Sequence, residues 1–236
     1  MRKIKFVAIL LFSGLTVFGQ AVRDRNVIPV AVSLNQVLRM TITNGGNIEF
    51  VFNSIEDYKK GLSSEAASGS ANPATSLGFY KTDFTVSSST RWELIYGAEE
   101  PTFLGTDNPA VTFPLNNVGF TITNNSATRT FEAAGSPRGT TATASLFSTA
   151  TANATQVTAL QVYPGAAPLI QDNNTIKANA GDELDNSFTL NWRAGTAEKN
   201  TVVPANSMNA VKIIDQNPSP APDRYVVNVL FDLAIN

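Results

Sequence analysis

Apolar and polar residues alternate along most of this chain, in short runs separated by Asn, Gly, Pro and Ser. Side chains repeat on one face of a β-strand every second residue, so each run predicts a strand with one face turned to a core. The runs are VLRMTIT and NIEFVF, then DFTVSSS, RWELIYGA, VGFTITN, TRTFEAAG, TASLFSTA, TQVTALQVY, SFTLNWRA, AVKIID and RYVVNVLFDLAI. Together they predict an all-β fold, an antiparallel β-sandwich of one large unit or two Ig-like or jelly-roll units, any division falling near 63–76 or 133–140.

Individual runs predict more. In NVIPVAVSL, Ile28, Val30, Val32 and Leu34 share one face, which suits either the first strand of the protein's own sheet or a strand that completes the sheet of another subunit. VLRMTITNGGNIEFVF reads as a hairpin, Leu38 to Thr43 with Ile48 to Phe52, turned by Asn44-Gly45-Gly46. NSIEDYKKG predicts the one helix, with Ser54 as cap, Glu56 and Asp57 in the first turn, Lys59 and Lys60 in the last and Gly61 as the stop. The final run is the most regular, and apolar residues on both of its faces predict a central strand. Thr-Ile-Thr-Asn occurs twice, at 41–44 and 121–124. Chance in a Thr- and Asn-rich chain is the expected reading of that echo, and a duplicated β-unit the alternative.

RWELIYGA holds the chemistry-bearing types that first draw the eye. Alternation sets Trp92, Leu94 and Tyr96 on one face and Arg91, Glu93 and Ile95 on the other, so Trp92 is expected as a core aromatic between two sheets. The competing reading makes Trp92 and Tyr96 a sugar-stacking platform, which requires both rings to face solvent. Glu99 and Glu100 fall in the loop after this strand. A glycosidase holds its two carboxyl groups about 5–9 Å apart across a substrate bond, and neighbours in a loop rarely do so.

The beginning of the chain changes the compartment. MRKIK, the apolar stretch FVAILLFSGL and the small Gly19 predict a secretory signal peptide over residues 1–19, its apolar core too short to cross a bilayer. The 236 residues carry 17 Lys and Arg against 19 Asp and Glu, and the leader holds three of the basic residues, so 14 against 19 remain. A balance near −5 disfavours nucleic acid and anionic lipid as partners. With neither His nor Cys in the chain, a Ser-His-Asp triad, a thiol nucleophile and a histidine-ligated metal are excluded. Oxygen ligands remain: Asp182, Glu183 and Asp185, with Asp172 and Asn173 upstream, are weak calcium candidates that lack the ordered spacing of a calcium loop. An ordinary acidic turn is the expected reading, and no cofactor is expected. Asn124, Asn153 and Asn173 stand in Asn-x-Ser/Thr, which matters only in a eukaryotic secretory route.

FGQA at 18–21, DYKKGL at 57–62, VSSSTRWELIYGAEEPTFLG at 86–105 and VTFPLNNVGFTIT at 111–123 resemble secreted β-sandwich surface proteins of the Bacteroidota, pilin-like subunits among them. The likeness covers roughly residues 50–125, and its motifs mark architecture rather than catalysis. It implies a structural or adhesive role and partners that are other protein subunits or cell-surface components. The chain departs from that pattern in having no lipobox cysteine and no glycine-rich sorting domain at its end. The sequence therefore predicts an exported, non-enzymatic structural or adhesive surface protein, periplasmic or extracellular; for the segment holding Ile28, Val30, Val32 and Leu34 the protein's own first strand is the expected reading, and a strand joining pilus-like subunits is the alternative. A glycan-binding module and a carboxylate-dependent glycoside hydrolase are the alternatives to that structural or adhesive role.

Overall fold

The computed structural model describes residues 30–64, 79–126, 156–165, 168–171, 179–201 and 203–235. The expected leader, Ile28, the runs TRTFEAAG and TASLFSTA, and Asn153, Asp172 and Asn173 lie outside them. Residues 1–34 and 35–236 are two separate compact units.

In the second unit the described strands are β1 (Leu38–Asn44), β2 (Leu62–Ser63), β3 (Lys81–Ser88), β4 (Trp92–Ala98), β5 (Thr102–Gly105), β6 (Thr112–Pro114), β7 (Val118–Asn124), β8 (Thr158–Ala159), β9 (Ile170–Gln171), β10 (Ser187–Ala194), β11 (Tyr225–Val226) and β12 (Val229–Ile235). They form three sheets, ordered β1-β3-β10-β7-β8 with β2 also on β10, then β12-β4-β9, then β11-β5-β6. All pairings between these strands are antiparallel. The fold is an all-β sandwich with one α-helix among the described residues. That helix, α1 (Ile55–Lys60), is capped by Ser54, whose side chain accepts from the Asp57 N–H while Asp57 reaches back to the Ser54 N–H. It stops at Gly61, whose φ of 77° is left-handed backbone that glycine adopts without strain.

The core forms where the period-two faces of the large sheet and the β12-β4-β9 sheet meet. Phe84, Phe120, Phe188 and Leu190 face inward from one side, Trp92, Leu94 and Tyr96 from the other, all buried. Aromatic edges interlock across the interface: Trp92 meets Phe188 at 6.2 Å between ring centres and Tyr96 meets Phe120 at 5.3 Å, both edge-on. Such pairs add roughly 0.5–1.5 kcal/mol each beyond the area they bury.

The outward face of β10 is also covered. Thr189, Asn191 and Arg193 are buried there, donating to the Asp83 carboxylate of β3 and to the Thr123 and Thr121 hydroxyls of β7 respectively. Arg193 makes a two-pronged ion pair with Glu198, at 2.7 and 3.0 Å, and donates to Thr121 at 3.0 Å. Glu198 also accepts from the Thr196 hydroxyl. This cluster anchors the chain that follows β10 against the outer face of the sheet.

Three local expectations are corrected by the structure. NIEFVF does not pair with β1 as a hairpin arm; β3 does, over the full length of β1. At Gly45 the backbone has a φ of 67° and passes so close to Lys81 that a side chain there would meet the Lys81 carbonyl, so the chain leaves the sheet where a hairpin would have returned. AVKIID is no strand: Ile213–Asp215 is a 3₁₀ turn. One anchor suffices there, because Ile213 is buried against Gly195. Finally, among the described residues β12 pairs with β4 alone, so it is an edge strand and not a central one. Apolar residues on both faces fit a strand covered on both sides, and they equally fit an edge whose neighbour is missing.

Candidate assembly site

The two edges β1 and β12 lie beside each other on one flank of the second unit, without a ladder between them. Their inward side chains are only half buried. Leu38 and Met40 on β1, and Val229, Phe231 and Leu233 on β12, pack against the core without closing over it. Along this flank, where β1 ends and β12 begins, a cavity of 750 Å³ opens between Ile42, Phe50, Phe113, Trp192, Tyr225 and Phe231.

Each wall has a local cause. After Gly45 the segment 47–52 turns Ile48, Phe50 and Phe52 inward, and Phe50 stacks on Tyr80 at 4.5 Å. Phe113 on β6 lies 5.4 Å from the ring of Tyr225 on β11. The turn between β5 and β6 is held to β11 by Asp223, whose carboxylate accepts from the N–H groups of Asp107 and Asn108. These backbone donors, that of Asp107 foremost, keep the Asp223 carboxyl below the ordinary carboxylate range. Burial, with Asp57 nearby, raises the Tyr80 hydroxyl, and burial, with Asp223 nearby, raises Tyr225. Both phenols therefore stay neutral around neutral pH, which suits a largely apolar wall. At the rim, Arg224 pairs with Glu49 at 3.0 Å, both well exposed. A pair of that kind contributes little to stability.

The two edges differ as templates. The register of β1 on β3 slips between Ile42 and Asn44, a bulge that bends the edge. β12 runs in unbroken register with β4 over all seven residues, Val229 opposite Ala98 to Ile235 opposite Trp92. A long, flat, apolar edge without bulge, proline or inward charge is the form that recruits another strand.

The remaining candidates are distributed elsewhere. Trp92 is 0% exposed, held in the core by β4, and Trp192 is 6% exposed with its indole N–H on the Thr82 hydroxyl at 2.9 Å. A platform made of Trp92 and Tyr96 has no solvent-facing ring in this arrangement. Asp182 accepts from the backbone N–H groups of Leu184 and Asp185 at 2.9 and 3.2 Å, so its carboxylate serves its own turn. Among the described residues no group of three or more acidic side chains converges as a metal site. Asn124 accepts from the Ser126 N–H within its own turn. Glu99 and Glu100 are exposed in the turn after β4, where Glu99 accepts from the Asn228 amide at 2.8 Å. In the first unit the described residues 30–34 carry no strand, and Val30, Val32 and Leu34 are 84, 77 and 91% exposed.

Sequence reasoning missed Phe50, Phe113 and Tyr225 as walls of one cavity. The only trace of the site in the sequence was the two-faced apolar pattern of 225–235. The chain matches no protein-family model and no curated protein. No helix among the described residues is long and apolar enough to cross a membrane.

Proposed function

We propose that this chain is an exported structural or adhesive cell-surface protein, a subunit whose copies join by adding a strand to an open sandwich. One observation carries the reading: β12 is a seven-residue apolar edge in regular register, beside a cavity whose walls include its own inward side chains. Monomeric proteins usually blunt such an edge with charges, prolines or bulges, because it templates association. Among the described residues β12 has no second neighbour, its one charge, Asp232, faces outward, and its inward face is half covered, which suits a subunit that is completed by a partner. The apparent leader at residues 1–19 supports export.

The experiment is direct. The purified chain without its leader is examined by sedimentation velocity over a hundredfold concentration range and by negative-stain microscopy. Concentration-dependent growth into linear assemblies is expected. A single monomeric species at every concentration, with no particle longer than one subunit, would remove the reading.

A further inference from the structure

We infer that the segment containing Val30, Val32 and Leu34 of one copy adds to the free edge of β12 in a second copy, its apolar side chains turned toward that copy's cavity. The inference rests on the strand-addition reading above and names its donor and its acceptor. Four features of the molecule meet in it. Three alternate apolar residues, in a segment that pairs with no strand, are each more than three-quarters exposed, an arrangement that costs solvation unless they are covered on assembly. Ile28 continues the same alternation in the sequence beyond Pro29, and the five residues 30–34 reach about 17 Å as a strand at roughly 3.3 Å each. That spans most of the seven paired residues of β12. The acceptor face is itself periodic, Val229, Phe231 and Leu233 being half buried at every second position.

The choice of edge follows from the others' defects. β1 is bulged, β2, β8, β9 and β11 have two residues each, and β6 ends in Pro114, which has no N–H to offer. Because donor and acceptor are different surfaces, the contact is head-to-tail. Reciprocal exchange between two copies would close a twofold dimer, whereas repetition in one direction gives an open chain with one free donor and one free edge at its ends.

The absence of cysteine from the chain makes the test clean. Ala31→Cys or Ser33→Cys supplies a donor thiol on the face opposite the apolar residues. Asn228→Cys, Leu230→Cys or Asp232→Cys supplies an exposed acceptor thiol along β12. Directly opposed residues of paired strands lie within the Cα separation a disulfide accepts. Mixing a donor variant with an acceptor variant under mild oxidation should give a linked dimer. A chain carrying both thiols should give a ladder of multimers, and the reactive positions read the register and direction of the strand. Ala110→Cys, exposed in the turn between β5 and β6, serves as the collision control and should not link. Val32→Asp should abolish the ladder while leaving the monomer's thermal midpoint unchanged.

Filaments that form without any donor–acceptor disulfide would overturn this inference and leave the assembly reading standing. A disulfide confined to single chains at nanomolar concentration would overturn it too, placing the segment on its own edge. So would linking of the control as strong as that of β12. Absence of any assembly would bring down both readings.

Discussion

Asn179 grips Trp92 by three hydrogen bonds. Its side-chain carbonyl accepts from the Trp92 N–H at 3.0 Å, its amide donates to the Trp92 carbonyl at 2.8 Å, and its backbone carbonyl accepts from the indole at 2.9 Å. The described pairing of β9 with β4 covers Glu93 and Leu94 but not Trp92. One amide side chain thus takes the place of a strand neighbour where the ladder stops, and both residues are completely buried.

Asn179→Ala leaves two buried backbone groups of Trp92 without partners. Each such group costs about 1–3 kcal/mol, so a loss of roughly 2–6 kcal/mol is expected. Urea unfolding followed by tryptophan fluorescence measures it, and a change under 1 kcal/mol would show that the clamp contributes nothing.

Trp92→Ala should cost about 3–5 kcal/mol, the range for truncating a buried large ring. Acrylamide should quench the native fluorescence only slightly, since Trp92 and Trp192 are both buried. Strong quenching in the folded protein would place at least one ring at the surface.

The Arg193–Glu198 pair gives a prediction about asymmetry. Glu198→Gln or Arg193→Met alone strands a charge among buried groups, and breaking such a pair costs about 3–5 kcal/mol. Replacing both together by Met and Leu should recover much of that loss. A double-mutant cycle with no coupling would mean the two charges act independently.

Tyr96 ties stability to alkaline pH. Burial raises its hydroxyl well above the ordinary value, which is about 10. The unfolded chain therefore loses this proton first as pH rises, so the stabilisation is complete below pH ~10 and declines progressively above it. Tyr80, Tyr163 and Tyr225 are raised as well, so Tyr96→Phe should reduce the alkaline decline without abolishing it. Thermal midpoints from pH 8 to 11.5 for both proteins decide it; identical slopes would remove Tyr96 from the account.

Chelation should leave the thermal midpoint where it is, because Asp182 is satisfied by its own turn. A fall of several degrees on adding EDTA, reversed by calcium, would show a bound ion.

Residue order alone determined most of the described strands and the faces they bury, NIEFVF and AVKIID excepted. Trp92, Leu94 and Tyr96 repeat at the period of a strand, and no partner is needed to know that they share a face. The short helix was legible for the same reason: Ser54, Asp57 and Gly61 act on backbone groups within four residues of themselves. Pairing was not legible. Alternation alone lets either Ile48 to Phe52 or β3 complete β1, and the choice fell to β3 because its alternate residues are buried along its whole length, while the backbone at Gly45 runs against Lys81. Nor could alternation distinguish a central β12 from an edge, since it reports which side chains are apolar and not what lies beside the backbone. The cavity depends on Phe50, Phe113 and Tyr225 arriving from three distant segments, and Asn179 reaches Trp92 across 87 residues. Such meetings arise from packing sheets face to face, where neighbours are set by topology and close contact rather than by any period along the chain.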